Sequence, residues 1–183
     1  MKTKRLEIRF SGFGGQGVVL AGEILGRALA YLGLNVVQTQ SYGAEARGSK
    51  AKSEVVASTE PIGFPMVRQC DILVAMNQSS LDSYAGDLKK ENTILIIDED
   101  LAKSVSELHG VQTFVLPANR LAQEKLGSTM FTNIIMIGAL AKLLGKTIKL
   151  DIHVIERVVK ESVAKKFVEQ NLNALKIGYD LIK

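Results

Sequence analysis

The stretch Ser11 to Gly17 (SGFGGQG) carries the spacing best suited to chemistry: Gly12, Gly14 and Gly17 match G-x-G-x-x-G. It lies between an apolar run, LEIRF, and a helical pattern, VVLAGEILGRALAYLG. A turn so placed leaves main-chain N–H groups unpaired at a helix amino end, and the helix dipole adds partial positive charge, so the turn suits an anion such as a phosphate. Gly12 permits the tight turn, Gly14 and Gly15 admit close approach, and Gly17 lets the helix pack near the strand. A nicotinamide or flavin dinucleotide also calls for an acid about 20 residues on, for its ribose hydroxyls. That region reads VVQTQSY, without Asp or Glu, and the first basic residue beyond it is Arg47. Spacing alone leaves three readings open: a dinucleotide, the phosphate of another ligand, and packing or subunit contact.

Few other residues invite a chemical role. Arg47 can grip a carboxylate or phosphate with two N–H groups, or pair with Glu45. Tyr42 can stack in a cleft or sit in the core. Asn77 follows the apolar run DILVAM, where a strand's carboxyl end meets a loop. That is the usual ligand side of a parallel sheet and equally a place for a helix N-cap. Asn133, in the apolar FTNIIMIGAL, should be hydrogen-bonded, either at a subunit interface or within the fold. Lys50 and Lys52 suit an anionic ligand or a solvated strand edge. Asp98 and Asp100 (DED) fit caps and turns better than an acid–base pair. Cys70 reads as a buried small hydrophobe. His109 and His153 have no metal-type spacing around them, and no local signature marks a Ser-His-Asp or Cys-His arrangement. No catalytic residue and no metal ligand is therefore assigned to this chain.

The elements that must position these residues follow from periodicity. Strands are expected at Leu6 to Phe10, Asn35 to Gln40, Glu54 to Ala57, Asp71 to Met76, Thr93 to Ile97 and Gln112 to Leu116. DILVAM and TILII are continuous apolar runs, as in parallel strands covered on both faces. A helix from Val18 to Leu32 should bury Leu20, Ile24, Ala28, Tyr31 and Leu32 and end at Gly33. Between the second and third strands lies a loop, SYGAEARGSKAK. Further helices are expected at Ser80 to Leu88, Ala118 to Leu126, Asn133 to Leu144 and from Asp151 onward, the last with a stripe of Val168, Leu172, Leu175, Tyr179 and Ile182. The expected fold is α/β: one three-layer domain over residues 1–183, with a largely parallel sheet, a Rossmann-like first βαβ and C-terminal helices.

Composition narrows the class. The chain of 183 residues, 46% hydrophobic and 23% charged, is long enough to bury a core without staples. Its single cysteine cannot supply the four ligands an iron–sulfur cluster usually needs, so any such cluster lies on another chain. The net charge of +4 is spread out, there is no Trp, and no nucleic-acid motif is present, so nucleic acid is not an expected partner. The N-terminus lacks an apolar signal core. The most apolar segment, Phe131 to Leu144, is too short to span a bilayer. A cytoplasmic location without membrane contact is expected. That segment is hydrophobic almost all round, which implies cover either from a neighbouring subunit or from the sheet and the C-terminal helices.

The elements GFGGQGVVLAGEILGRAL, SYGAEARGSKAKSEVV and DILVAMNQSSLD together resemble the gamma subunit of 2-oxoacid:ferredoxin oxidoreductases, over nearly the whole chain. The likeness is greater to the 2-oxoglutarate and branched-chain types than to the pyruvate type. The beta subunit of indolepyruvate oxidoreductase is a near alternative, and a free-standing dinucleotide-binding protein a more distant one. The resemblance implies oxidative decarboxylation of a 2-oxoacid to its acyl-CoA, with electrons passed to ferredoxin. It implies that this chain holds no cofactor alone: thiamine diphosphate, magnesium and iron–sulfur clusters belong to alpha, beta and delta partners, and coenzyme A is a shared substrate. Chains without partners are expected to be inactive and open to self-association. The matching positions are Gly12, Gly14, Gly15, Gln16 and Gly17, then Tyr42, Gly43, Glu45, Arg47 and Gly48. Ala44, Ala46 and Ser49 depart from the residues common in that family.

Overall fold

The computed structural model describes residues 5–43, 50–102 and 108–183. Six strands form one sheet: β1 (Arg5–Phe13), β2 (Asn35–Tyr42), β3 (Lys50–Ser58), β4 (Ile72–Ala75), β5 (Thr93–Asp98) and β6 (Val111–Leu116). Their order across the sheet is β2-β3-β1-β4-β5-β6. β1, β4, β5 and β6 pair parallel, whereas β3 lies antiparallel between β2 and β1. The first strand–helix–strand unit is thus split, with β3 inserted between its two strands. The stretch expected as a loop from Ser41 to Lys52 is strand at both ends among the described residues. Ser41 and Tyr42 extend β2, Lys50 to Lys52 begin β3, and the Gly43 N–H closes on the Lys50 carbonyl at 2.7 Å.

Alternation along the central strands places side chains in two cores. Ile8 and Phe10 of β1, Ile72 and Val74 of β4 and Ile96 of β5 join the larger one; Leu73, Ala75, Leu95 and Ile97 join the smaller. Apolar residues at every position of β4 are what cover on both faces demands. The helices are α1 (Val18–Tyr31), α2 (Gln78–Tyr84), α3 (Ala118–Leu126), α4 (Thr132–Ile148), α5 (Ile152–Ser162) and α6 (Val168–Leu181). α1 ends as expected, with Gly33 at φ 81 and its N–H on the Ala30 carbonyl at 2.9 Å. The buried face of α1 differs from the expected one. Val18, Ala21, Ile24, Leu25, Ala28 and Leu29 are buried, Leu20 and Leu32 only half so, and Tyr31 is exposed. The physical cause is Gly22, which brings the helix so close to β3 that a Cβ there would overlap the Ser53 hydroxyl. Tyr31 instead lies beneath the Arg157 guanidinium, 4.6 Å from its ring centre.

The apolar segment is longer than its sequence core. A 3-10 turn, Thr129–Phe131, runs into α4, and residues 129–148 are long and apolar enough to cross a bilayer. Their most apolar window is nevertheless 72% buried inside the molecule. The cover comes from α6 chiefly, with α1, α3 and α5, and so from this chain's own helices. The crossing with α6 is glycine to backbone. A Cβ on Gly138 would strike the Leu175 carbonyl, and one on Gly178 the Ile135 carbonyl. Helix backbones approach this closely only where a side chain is missing from each.

Replacing Gly178 by Ala must push the two helices apart. The expected loss is about 2 kcal/mol from overpacking, a fall in Tm of roughly 4–8 °C for a chain of this size. Thermal unfolding followed by circular dichroism checks it, and an unchanged Tm would contradict the close crossing.

Candidate functional site

The glycine-rich turn projects from the carboxyl edge of the sheet. β1 runs on through Gly12 and Phe13, so the turn proper is short. The Gln16 N–H bonds the Phe13 carbonyl at 3.1 Å, and Gly15 takes φ 92. A positive φ at that position of a four-residue turn is what glycine supplies without strain. Gly17, at φ 72, is the N-cap of α1, and no side chain caps the helix end. The first turn of α1 contains no acidic residue to offset the dipole. Among the described residues, no protein acceptor meets the N–H groups of Gly14, Gly15, Gly17 or Val18.

What holds this bare turn is a set of amides beneath it. The Gln16 Oε1 accepts the Phe13 N–H at 2.6 Å and the Asn77 Nδ2 at 3.0 Å, while its Nε2 donates to the Met76 carbonyl at 3.4 Å. Gly12 makes room for this: a Cβ there would stand 2.6 Å from Gln16 Oε1. Asn77, at the end of β4, also caps α2 by accepting the Ser80 N–H at 2.9 Å. Asn77 is thus an N-cap that also steadies Gln16. Gln16 itself turns its amide toward the protein. From the opposite side Asn133 of α4, 2% exposed, donates Nδ2 to the Gly17 carbonyl at 3.1 Å and accepts the Ile134 N–H at 2.9 Å. A Cβ on Gly17 would overlap that amide. Asn133 is a satisfied buried group within the chain rather than an interface residue. The signal available in sequence was a lone amide in an apolar helix; its target was not.

Among the described residues, two clefts flank the turn. One, of about 230 Å³, is bounded by Phe13, Gly14, Gly15, Gly17, Val18 and Tyr42. Tyr42 is 59% exposed at the end of β2, and Phe13 is also exposed, so two aromatic rings border the unpaired N–H groups. The second, of about 220 Å³, was not foreseen and lies between Gln16, Met76, Asn119, Ser128, Met130 and Thr132. Glu45, Arg47 and Gly48 lie outside the described residues, as do Ala44, Ala46 and Ser49. The two lysines at the start of β3 have partners on the chain: Lys50 bonds Ser83 at 2.9 Å and Lys52 pairs with Glu54 at 3.0 Å.

The remaining candidates are structural in their contacts. Cys70 is fully buried, and burial pushes its thiol up to about 12, so no thiolate forms at neutral pH. Asp98 and Asp100 receive the Asn119 and Arg120 N–H groups, each at 2.8 Å, and together cap α3, as the DED pattern suggested. Burial drives the Asp98 carboxyl up to about 6 against the pull of its N–H partners. His153, 79% exposed, follows the Asp151 N-cap of α5.

Comparison with known proteins gives a consistent set of likenesses. The family model described as pyruvate ferredoxin/flavodoxin oxidoreductase matches residues 7–181. The 2-oxoglutarate synthase subunit KorC of Methanocaldococcus jannaschii is 46% identical over 182 residues, covering 98% of this chain and 95% of that protein. The crystal structure of a keto/oxoacid ferredoxin oxidoreductase gamma subunit from Geobacter sulfurreducens superposes with a TM-score of 0.82 at 38% identity, over 96% of this chain and 97% of that one. The 2-oxoglutarate:ferredoxin oxidoreductase of Magnetococcus marinus, solved with 2-oxoglutarate, coenzyme A and succinyl-CoA bound, matches with a TM-score of 0.86 at 26% identity. That match covers 98% of this chain and 31% of the other.

Two outcomes follow from the geometry. Asn77→Ala removes the α2 cap and one of the supports of Gln16, for an expected loss of about 1–2 kcal/mol in denaturant unfolding. Asp98 has a folded-state pKa of about 6, above the unfolded value of about 3.9. The native state therefore binds the extra proton between those values, and this group's contribution to stability falls as pH rises from about 4 to 6. Comparing unfolding free energies across that window, Asp98→Asn should abolish this part of the slope; an identical slope in both proteins would contradict the shift.

Proposed function

Because this chain belongs to the pyruvate ferredoxin/flavodoxin oxidoreductase family, as the gamma subunit of a 2-oxoacid:ferredoxin oxidoreductase, we propose that its glycine turn receives part of coenzyme A in the assembled enzyme. The observation that carries this is the uncapped, acid-free amino end of α1, opening into a cleft bordered by Phe13 and Tyr42. Free N–H groups suit the coenzyme's phosphates, and the rings suit its adenine. The cleft's volume of about 230 Å³ falls below the roughly 300–1,000 Å³ of sites that enclose a whole ligand. It suits one portion of the coenzyme, with partner subunits closing over the rest. Coenzyme A in the Magnetococcus marinus complex supports the choice of ligand.

The reaction is the conversion of a 2-oxoacid, coenzyme A and two oxidised ferredoxins into acyl-CoA, carbon dioxide, a proton and two reduced ferredoxins. The names of the similar proteins favour 2-oxoglutarate as the oxoacid. The chain is one subunit of a multi-subunit enzyme. We assign thiamine diphosphate, magnesium and iron–sulfur clusters to its alpha, beta and delta partners, in keeping with a single buried cysteine here. This chain then contributes main-chain N–H groups and shape rather than a reacting side chain, and residues 1–183 act as one domain in that role.

The test is reconstitution. The chain alone should reduce no ferredoxin or viologen dye with 2-oxoglutarate and coenzyme A; the chain with its partners should. In the complex, Tyr42→Ala should raise the KM for coenzyme A about tenfold, the equivalent of roughly 1.4 kcal/mol of lost stacking, and leave the KM for 2-oxoglutarate unchanged. Turnover by the isolated chain, or a KM for coenzyme A indifferent to Tyr42, would overturn the reading.

A further inference from the structure

The glycine turn is steadied from beneath by two separate amides, and one of them reaches it from a distant helix. Asn133 lies 116 positions from Gly17 and 2% exposed, so its amide has no solvent to bond. Nδ2 donates to the Gly17 carbonyl at 3.1 Å, and that same carbonyl receives the Ala21 N–H at 3.0 Å. Oδ1 meanwhile accepts the Ile134 N–H at 2.9 Å, which keeps the amide from rotating. Gly17 cannot carry a Cβ without overlapping this side chain, and its φ of 72 is one that glycine adopts freely. The carbonyl of Gly17 and the N–H of Val18 belong to one planar peptide, so whatever fixes the first aims the second.

We propose that Asn133 is a positioning residue for coenzyme A: by holding the Gly17–Val18 peptide it aims the unpaired N–H groups of the α1 amino end at the coenzyme's phosphate. This rests on the reading of the turn as a coenzyme A contact. Asn133 lies under the turn and touches no ligand; it acts on affinity through the peptide plane. The role requires a hydrogen-bond donor facing the Gly17 carbonyl. A shorter apolar side chain leaves the Gly17 carbonyl to Ala21 alone, and a carboxylate opposes both that carbonyl and an incoming phosphate.

The experiment uses the reconstituted complex with two variants, Asn133→Ala and Asn133→Asp. Asn133→Ala should raise the KM for coenzyme A about five- to tenfold, the usual worth of one buried hydrogen bond. The KM for 2-oxoglutarate and the kcat at saturating coenzyme A should stay near wild type. Asn133→Asp adds a readout that mere loosening of the fold does not give. A protonated carboxyl can donate to the Gly17 carbonyl as the amide does, and an ionised one cannot. Burial raises the pKa of the introduced carboxyl above the usual carboxylate range. Its KM for coenzyme A should therefore approach wild type at low pH and climb as pH rises, a climb absent from the wild-type profile. A KM for coenzyme A that matches wild type in both variants, while Tyr42→Ala still raises it, overturns this role and leaves the site reading standing. If Tyr42→Ala leaves it unchanged as well, both fall. Should Asn133→Asp fail to assemble, Asn133→Ala decides by its KM split alone: equal losses in both KM values, or a loss in kcat only, overturn the proposal.

Discussion

A main-chain turn whose N–H groups face outward has no cohesion of its own, and everything at the carboxyl edge of this sheet depends on how that deficit is met. Here the Gln16 amide occupies the space left by Gly12 and joins Phe13, Met76 and Asn77. Three pieces of chain meet on one side group: the end of β1, the end of β4 and the start of α1. Because Asn77 both bonds Gln16 and caps α2, the position of α2 is coupled to the turn as well. Buried amides left unpaired cost more than the bonds they form contribute, so this arrangement tolerates little variation.

The second requirement is that α1 keep its place over the sheet, and the helical layer supplies it. Gly22 lets α1 rest on β3, while α4 reaches its amino end through Asn133. α4 is in turn gripped by α6 at the Gly138 and Gly178 crossing. The apolar character of α4, which by composition alone resembles a segment made for lipid or for a partner, is accounted for by its central position among α1, α3, α5 and α6. A helix with neighbours on all sides needs no polar face.

On the other face of the sheet the chain is held by charge. Arg9, 3% exposed, pairs with Glu54, 2% exposed, at 2.7 Å, bonds Asp87 and lies 4.6 Å from the centre of the Tyr84 ring. Buried pairs contribute little net stability against apolar replacements, yet losing one partner strands the other. Their effect here is registry: β1, β3 and the 3-10 turn Ala85–Asp87 are tied at one point beside Cys70. The same burial that makes this pairing necessary keeps the thiol protonated and inert.

Periodicity and punctuation determined most of the elements. The apolar runs of β4 and β5, the Gly33 stop of α1 and the DED caps of α3 are local signals, readable because each depends on neighbours a few residues away. The glycine spacing likewise announced a turn with free N–H groups. Tertiary structure alone decided that β3 runs antiparallel between β2 and β1, which no single strand's composition encodes. It also rotated the buried face of α1 away from Tyr31, through the approach that Gly22 allows. It turned Gln16 inward and sent the Asn133 amide to Gly17. The sequence shows an isolated polar residue in an apolar helix and a glycine at a turn; their meeting depends on how α4 and α1 pack, and packing is a property of the whole chain rather than of either segment.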